Sequence, residues 1–425
     1  MENHQEIREK LSNWLQTQRC KGTHLLQKLV QAQSTQGNEA DAQKIIIDTL
    51  TKMKLEIDVW EPDGKELKAH PYFASSKDNF QGSPNVVGVL KGKKNGRSII
   101  LNGHIDVVPE GDLEQWEDDP YSGKVRDGKM FGRGVTDMKG GNVSLILAIQ
   151  AIQAMGIQLK GDVIFESVIE EESGGTGTLA SIVRGYRADA AIIPEPTNMK
   201  IFPKQQGSMW FRILVKGRSA HGGTRYQGIS AIEKGVLVVN HILALEKDRN
   251  SRITDPLYEG IPIPIPINIG KIEGGQWPSS VCDLVKIEGR MGVSPDETME
   301  DAQKDMEQWL QKLGETDTWF AHFPPKLEWF GARWHPGSIP ITNQLMTALA
   351  KNYQLILKEK PLIEASPWGT DGGLLTKLAE TPSIVFGPGV TEKAHFPNEY
   401  IEINKVFEAA EIIALTIIDW CEIDQ

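Results

Sequence analysis

Between residues 40 and 193 the apolar positions of the chain alternate between a helical and an extended period, and this alternation constrains the fold more than any other feature. Helix-period segments at 40–53, 141–155 and 177–184 are interleaved with β-branched, apolar runs at 55–60, 85–90, 98–101, 162–168 and 188–193. Strands and helices in this order bury their apolar faces as a mostly parallel sheet flanked by helices, an α/β layer. Two further amphipathic segments, 5–18 and 25–33, precede it. From residue 208 the order changes to a strand at 210–216, a helix at 229–245, strands at 266–272 and 284–292, and a helix at 297–313. That pattern predicts a small α+β insert. The alternation then resumes at 362–365 and 382–386, and a helix over 405–420 closes the chain. We therefore expect one α/β domain in two pieces, 1–207 and 326–425, with an α+β domain, 208–325, inserted between them. The proline-rich stretch 261–266 reads as an extended loop, and 63–83 as a surface excursion with little periodicity.

A length of 425 residues suits two domains rather than one. The net charge of −11 leaves no basic surplus to displace counterions, which argues against a nucleic-acid partner. Segment 1–10 is polar and lacks the apolar core of a secretory signal, and the apolar run 412–418 is too short to span a bilayer, so no membrane partner is expected. Cys20, Cys282 and Cys421 lie far apart with no CxxC spacing. They read as reduced thiols of a cytoplasmic protein and build no cysteine metal site by themselves.

Metal-capable side chains are concentrated where loops follow apolar strands or precede a helix. His104 and Asp106 end the run Leu101-Asn-Gly-His-Ile-Asp. While an extended backbone persists, residues two apart share a face, so the Asp106 carboxylate could take the second ring N–H of His104 and fix its tautomer. Asp137 sits in a glycine-rich turn before a helix, where it could equally be an N-cap. Glu170, Glu171 and Glu172 follow a buried strand, where three adjacent carboxylates repel one another unless a cation or a raised pKa relieves them. Glu195, held between prolines, and His395, after a Gly-Pro-Gly turn, complete the group. Each of these residues alone reads better as a solvated loop or capping side chain than as a ligand. Together they offer nitrogen and oxygen donors that suit Zn²⁺, and also Co²⁺ or Mn²⁺.

The ordered motifs GHIDVVP, GRGVTDMKGG, EEESGG, PEPT, GRSAHGG and the late GPG with AH resemble those of the acetylornithine deacetylase, succinyl-diaminopimelate desuccinylase, aminoacylase and carboxypeptidase G family of two-metal hydrolases. The resemblance implies a catalytic α/β domain with an inserted dimerisation (lid) domain, two Zn²⁺ per subunit, and a homodimer. It implies that Asp137 bridges the metals, with His104 and Glu195 on one and Glu172 and His395 on the other. Glu171 becomes the general base, because the family pattern is a Glu pair, one residue and then Gly. Asp106 becomes the partner of His104. His221, in GRSAHGG, becomes an oxyanion donor reaching the neighbouring subunit, and Arg290 a substrate-carboxylate ligand. Where the family commonly has Asn before a Val-Pro pair, this chain has Ser279-Ser280-Val281-Cys282. The implied activity is hydrolysis of the amide bond of a small N-acylated amine or amino acid, of the acetylornithine deacetylase kind. Trp210, Trp277 and Trp368 also suit a flat ring, as in the formylaminopyrimidine deformylase of thiamine salvage, although core packing is the commoner fate of a tryptophan. A dipeptidase or carboxypeptidase activity fits the same motifs. A non-catalytic binding protein on this fold fits them less well, since every expected ligand and the base are present.

Overall fold

The structure is a computed structural model that describes residues 4–93 and 95–424. The chain divides into two compact units. One holds the described residues up to Lys204 with Gly337–Glu364 and the chain from Asp371, and the other holds Gln205–Pro336 with Ala365–Thr370.

The first unit is built on a mixed nine-stranded sheet. Its centre is parallel, in the order Val163–Val168, Ile99–His104, Ala191–Ile193 and Ser383–Val385. Toward one edge Asn85–Leu90 and Glu56–Trp60 pair antiparallel, and toward the other Ile201–Gln205 does the same. The parallel character expected of the whole sheet thus belongs to its middle. Parallel neighbours need a long crossover, which the helix Gly140–Ala154 supplies between Ile99–His104 and Val163–Val168. The short link from Ile193 to Ile201 has no room for one, so the chain returns antiparallel.

Every residue of Val163–Val168 and of Ile99–His104 is buried, so neither strand shows the regular polar–apolar alternation of a half-exposed one. Gly140–Ala154 is buried almost all round, and Ile403–Cys421 packs in the same core. The apolar run 412–418 is the innermost stretch of that last helix. Among the described residues, no helix is long and apolar enough to cross a membrane. The three cysteines are unbonded to one another.

The second unit is a four-stranded antiparallel sheet in the order Ile267–Gly274, Leu284–Val293, Gly207–Lys216, Lys326–Trp334. Helices Ala231–Ser251 and Met299–Gln311 share its core, which includes Phe211, Ile213, Val238, Ile242, Ile287 and Met306. Lys326–Trp334 corrects the sequence reading, which ended the insert at residue 325. Leu327 and Trp329 pack against the insert's core, and the strand pairs with Gly207–Lys216, so the boundary falls after it.

Candidate metal centre

Strand direction gathers the candidate residues. His104 ends the central strand Ile99–His104, while Glu171 and Glu172 follow Val163–Val168. Glu195 follows Ala191–Ile193, and His395 lies on the loop after Ser383–Val385. These strands are mutually parallel, so their carboxyl ends open at one edge of the sheet, where ligands of α/β folds bind. Asp137 comes from the turn before Gly140–Ala154. A Cβ at Gly141 would lie 2.1 Å from the Pro194 carbonyl oxygen, so only glycine lets this helix start against the loop carrying Glu195.

Asp137 stands between the two histidines. Its Oδ1 is 3.2 Å from His104 Nε2, and its Oδ2 is 3.2 Å from His395 Nε2. His395 Nε2 is also 3.0 Å from Glu172 Oε1, and Glu195 Oε2 lies 3.9 Å from His104 Nε2. Two donor sets share His104: His104, Glu171 and Glu195 form one, His104, Asp137 and Glu172 the other, with ligand atoms within 4.8 Å of one another in each. Glu171, expected as the base, therefore stands among the potential ligands. The triple-Glu run is separated by its backbone. Glu170, at positive φ, accepts hydrogen bonds from Ser75 and Ser173, whereas Glu171 and Glu172 join the cluster.

The electrostatics favour a cation. Burial pushes Glu171 and Glu195 well above the usual carboxylate range, and neighbouring carboxylates add to it. Burial likewise opposes ionisation of Asp137, but hydrogen bonds with His104 and His395 outweigh it and hold that carboxyl low. Burial also opposes charge on His395, yet its bonds to Asp137 and Glu172 push it up to about 11. Carboxylates outnumber histidines here and cannot all ionise cheaply without a counter-charge. A divalent metal bound by mixed nitrogen and oxygen donors relieves that repulsion, so the residues present fit such a centre.

Asp106 does not hold the histidine as expected. The strand stops at His104, so the rule that alternate residues share a face lapses there. His104 Nδ1 meets the backbone carbonyl of Asp106 at 2.8 Å, while the Asp106 carboxylate is 3.6 Å from it. That carboxylate instead accepts the backbone N–H groups of Glu171 at 3.2 Å and Glu172 at 3.1 Å, fixing the turn that aims both glutamates. Burial pushes Asp106 up to about 8.

The sequence reading missed several residues around the centre. Asn142 donates to the His104 carbonyl at 2.6 Å. Asp371 is buried beside Thr178, whose hydroxyl donates to it at 2.6 Å, and burial raises it to about 6. Arg133 and Glu399 form a buried ion pair at 2.7 Å. Only Arg133 carried a signal, a long basic side chain inside the glycine-rich GRG turn.

All the metal-capable residues belong to the first unit, and His221 and Arg290 to the second. His221 is exposed and caps the turn Gly222–Gln227, accepting the Gly223 N–H at Nδ1 over 3.1 Å. Arg290 lies opposite Trp210 in the sheet register, and burial lowers its guanidinium to about 10. Trp210 packs edge-on against Phe330, and Trp277 is largely exposed.

Comparison with known proteins bears on the chemistry. The sequence profile described as peptidase family M20/M25/M40 matches residues 100–419. The chain is 32% identical over 406 residues to an N-formyl-4-amino-5-aminomethyl-2-methylpyrimidine deformylase of Halalkalibacterium halodurans, covering 91% of this chain and 90% of that protein. It is 27% identical over 347 residues to an acetylornithine deacetylase of Salmonella arizonae, covering 80% of this chain and 85% of that one. A tripeptidase structure from Staphylococcus aureus superposes with a TM-score of 0.72 at 22% identity, over 95% of this chain and 98% of that one, which speaks to the fold alone.

Proposed function

The chain belongs to peptidase family M20/M25/M40 and is a metal-dependent hydrolase of linear amide C–N bonds, and from that premise we propose that it deacylates a small N-acylated amine, an N-formylated aminomethylpyrimidine first among them. The observation that carries this reading is the buried carboxylate–histidine cluster at the carboxyl ends of the parallel strands. A relative 32% identical across about nine-tenths of both chains is a deformylase of that pyrimidine, which supports this substrate.

Asp137, His104, Glu195, Glu172 and His395 would hold two Zn²⁺; Co²⁺ or Mn²⁺ suits the same donors. Bound there, the metal pair supplies Lewis acidity to the amide carbonyl and lowers the pKa of the attacking water. Glu171 takes a proton from that water on its carboxylate and delivers it to the departing amine nitrogen. Asp106 keeps Glu171 aimed through its backbone N–H. The first unit would then be the catalytic domain and the insert a lid and dimerisation domain, in a cytoplasmic homodimer.

A second substrate reading has its own support. Arg290 is a half-buried cation for which no hydrogen bond or ion pair is resolved among the described residues, and it would suit a substrate carboxylate as in acetylornithine. Arg290→Ala should raise KM for acetylornithine at least tenfold if that amino acid is the substrate, the loss of a charge-assisted hydrogen bond being worth about 1.5–3 kcal/mol. Hydrolysis of the formylpyrimidine, which has no carboxylate, should change little. Steady-state kinetics with both substrates decides between them, and failure to hydrolyse either by the zinc-loaded wild type would sink the deacylase reading.

The dimer is supported by the second unit's surface. Ile232 and Val236 point to solvent from one face of Ala231–Ser251, and Ile272 does so from the edge strand Ile267–Gly274. An open strand edge beside an exposed apolar face is what a two-fold partner would cover. His221 would then donate to the developing oxyanion of the neighbouring subunit's site, a contribution of about 3–4 kcal/mol for a group of this kind. Mixing His221→Ala with Glu171→Gln protein, each nearly inactive, and allowing subunit exchange should restore about a quarter of wild-type activity: half the dimers become mixed, and half their sites are whole. No recovery, with exchange confirmed by native mass spectrometry, places His221 outside the neighbouring site.

A further inference from the structure

We propose that Glu399 and Arg133 are positioning residues that set the spacing of the metal ligands Asp137 and His395; the proposal rests on the metal reading above. The Glu399 carboxylate is fully buried and accepts from four donors. Oε2 takes Arg133 Nη1 at 2.7 Å and the Gly134 N–H at 2.9 Å. Oε1 takes the Thr136 N–H at 2.8 Å and the Asp137 N–H at 3.2 Å. One side chain therefore fixes the backbone of the turn that ends in Asp137. Arg133, 2% exposed, extends the clamp to the other loop, its Nη2 donating to the His395 carbonyl at 3.4 Å and its Nη1 to that of Phe396 at 3.5 Å.

The small sheet beside the centre explains how a residue so far along the chain arrives there. Tyr400–Glu402 pairs antiparallel with Lys129–Phe131, placing Tyr400 opposite Phe131 and Glu399 beside the start of the Asp137 turn. The Gly132 N–H closes the register by donating to the Glu399 carbonyl at 2.9 Å. Glu399 and Arg133 reach the two ligands through their backbone, at the Asp137 N–H and the His395 carbonyl. Their action runs through the two loops, so that the Asp137 carboxylate can face both histidines at the same 3.2 Å distance.

A glutamine at 399 has one acceptor oxygen and one NH₂ group, so either the Arg133–Gly134 pair or the Thr136–Asp137 pair would face donor against donor. Glu399→Gln protein should keep its fold by circular dichroism and bind Zn²⁺ about 10–100-fold more weakly in competition with a chromophoric chelator, as loss of a partner behind a ligand commonly does. Arg133→Gln should change affinity in the same direction, and kcat should fall more than KM rises in both. Leu349→Ala, a fully buried core position on Gln344–Leu357, is destabilised but should keep wild-type Zn²⁺ affinity. Wild-type affinity and stoichiometry in folded Glu399→Gln or Arg133→Gln overturns the proposal. So does an equal loss in Leu349→Ala, which would mark general loosening. Wild-type protein that takes up no divalent ion would instead sink the metal reading and the proposal with it, a distinct result.

Discussion

Glu171→Gln should lower kcat by about 10²–10⁴ while the protein keeps most of its metal, because the amide has the shape of the carboxylate but cannot accept a proton. Glu172→Gln should show the opposite signature and lose metal, since Glu172 contacts His395 and shares a donor set with Asp137. Elemental analysis beside single-turnover rates reads both quantities. The two sites are close enough that a partial metal loss is expected in Glu171→Gln as well, Glu171 lying in the other donor set with His104 and Glu195. If the two variants exchanged signatures, the base would be Glu172.

Removal of metal should have the other large effect. Dialysis against a chelator should abolish amide hydrolysis, and Zn²⁺ or Co²⁺ should restore it. It should also lower the melting temperature. A metal that binds only the folded chain stabilises it by about 2.7 kcal/mol at a hundred times its Kd and about 4.1 at a thousand times. The apo protein in addition keeps Glu171, Glu172 and Glu195 together with only the two histidines opposing them. Calorimetry with and without Zn²⁺ measures that difference. Full activity in protein shown by elemental analysis to be metal-free would falsify the proposed centre.

Both predictions rest on residues that could be named from sequence, and the reason is geometric. A ligand at the end of a buried parallel strand leaves a local imprint: a continuous apolar run, then a histidine or acid, then a turn. His104, Glu171, Glu172 and Glu195 follow such strands, and the five extended runs between residues 55 and 193, parallel and antiparallel alike, were equally legible because strand and helix differ in period. Short strands without an apolar run around them left no such trace. Lys124–Arg126, Lys129–Phe131 and Tyr400–Glu402 span three residues each, so the sheet that carries Glu399 to the Asp137 turn was invisible.

What the sequence by itself determined was therefore the α/β layer, the α+β insert and the identity of the residues that could bind metal, because burial and period are properties of neighbouring residues. The tertiary structure decided which partners those residues take. Lys326–Trp334 joined the insert because a distant strand offered it an edge. Asp106 turned its carboxylate from His104 to the backbone of Glu171 and Glu172 because the strand ended at His104, two residues before Asp106. Glu399 came to hold the Asp137 turn from 262 residues away along the chain. A hydrogen bond is set by distance in space, and distance in space between remote segments is fixed only when the sheet has chosen its strand order.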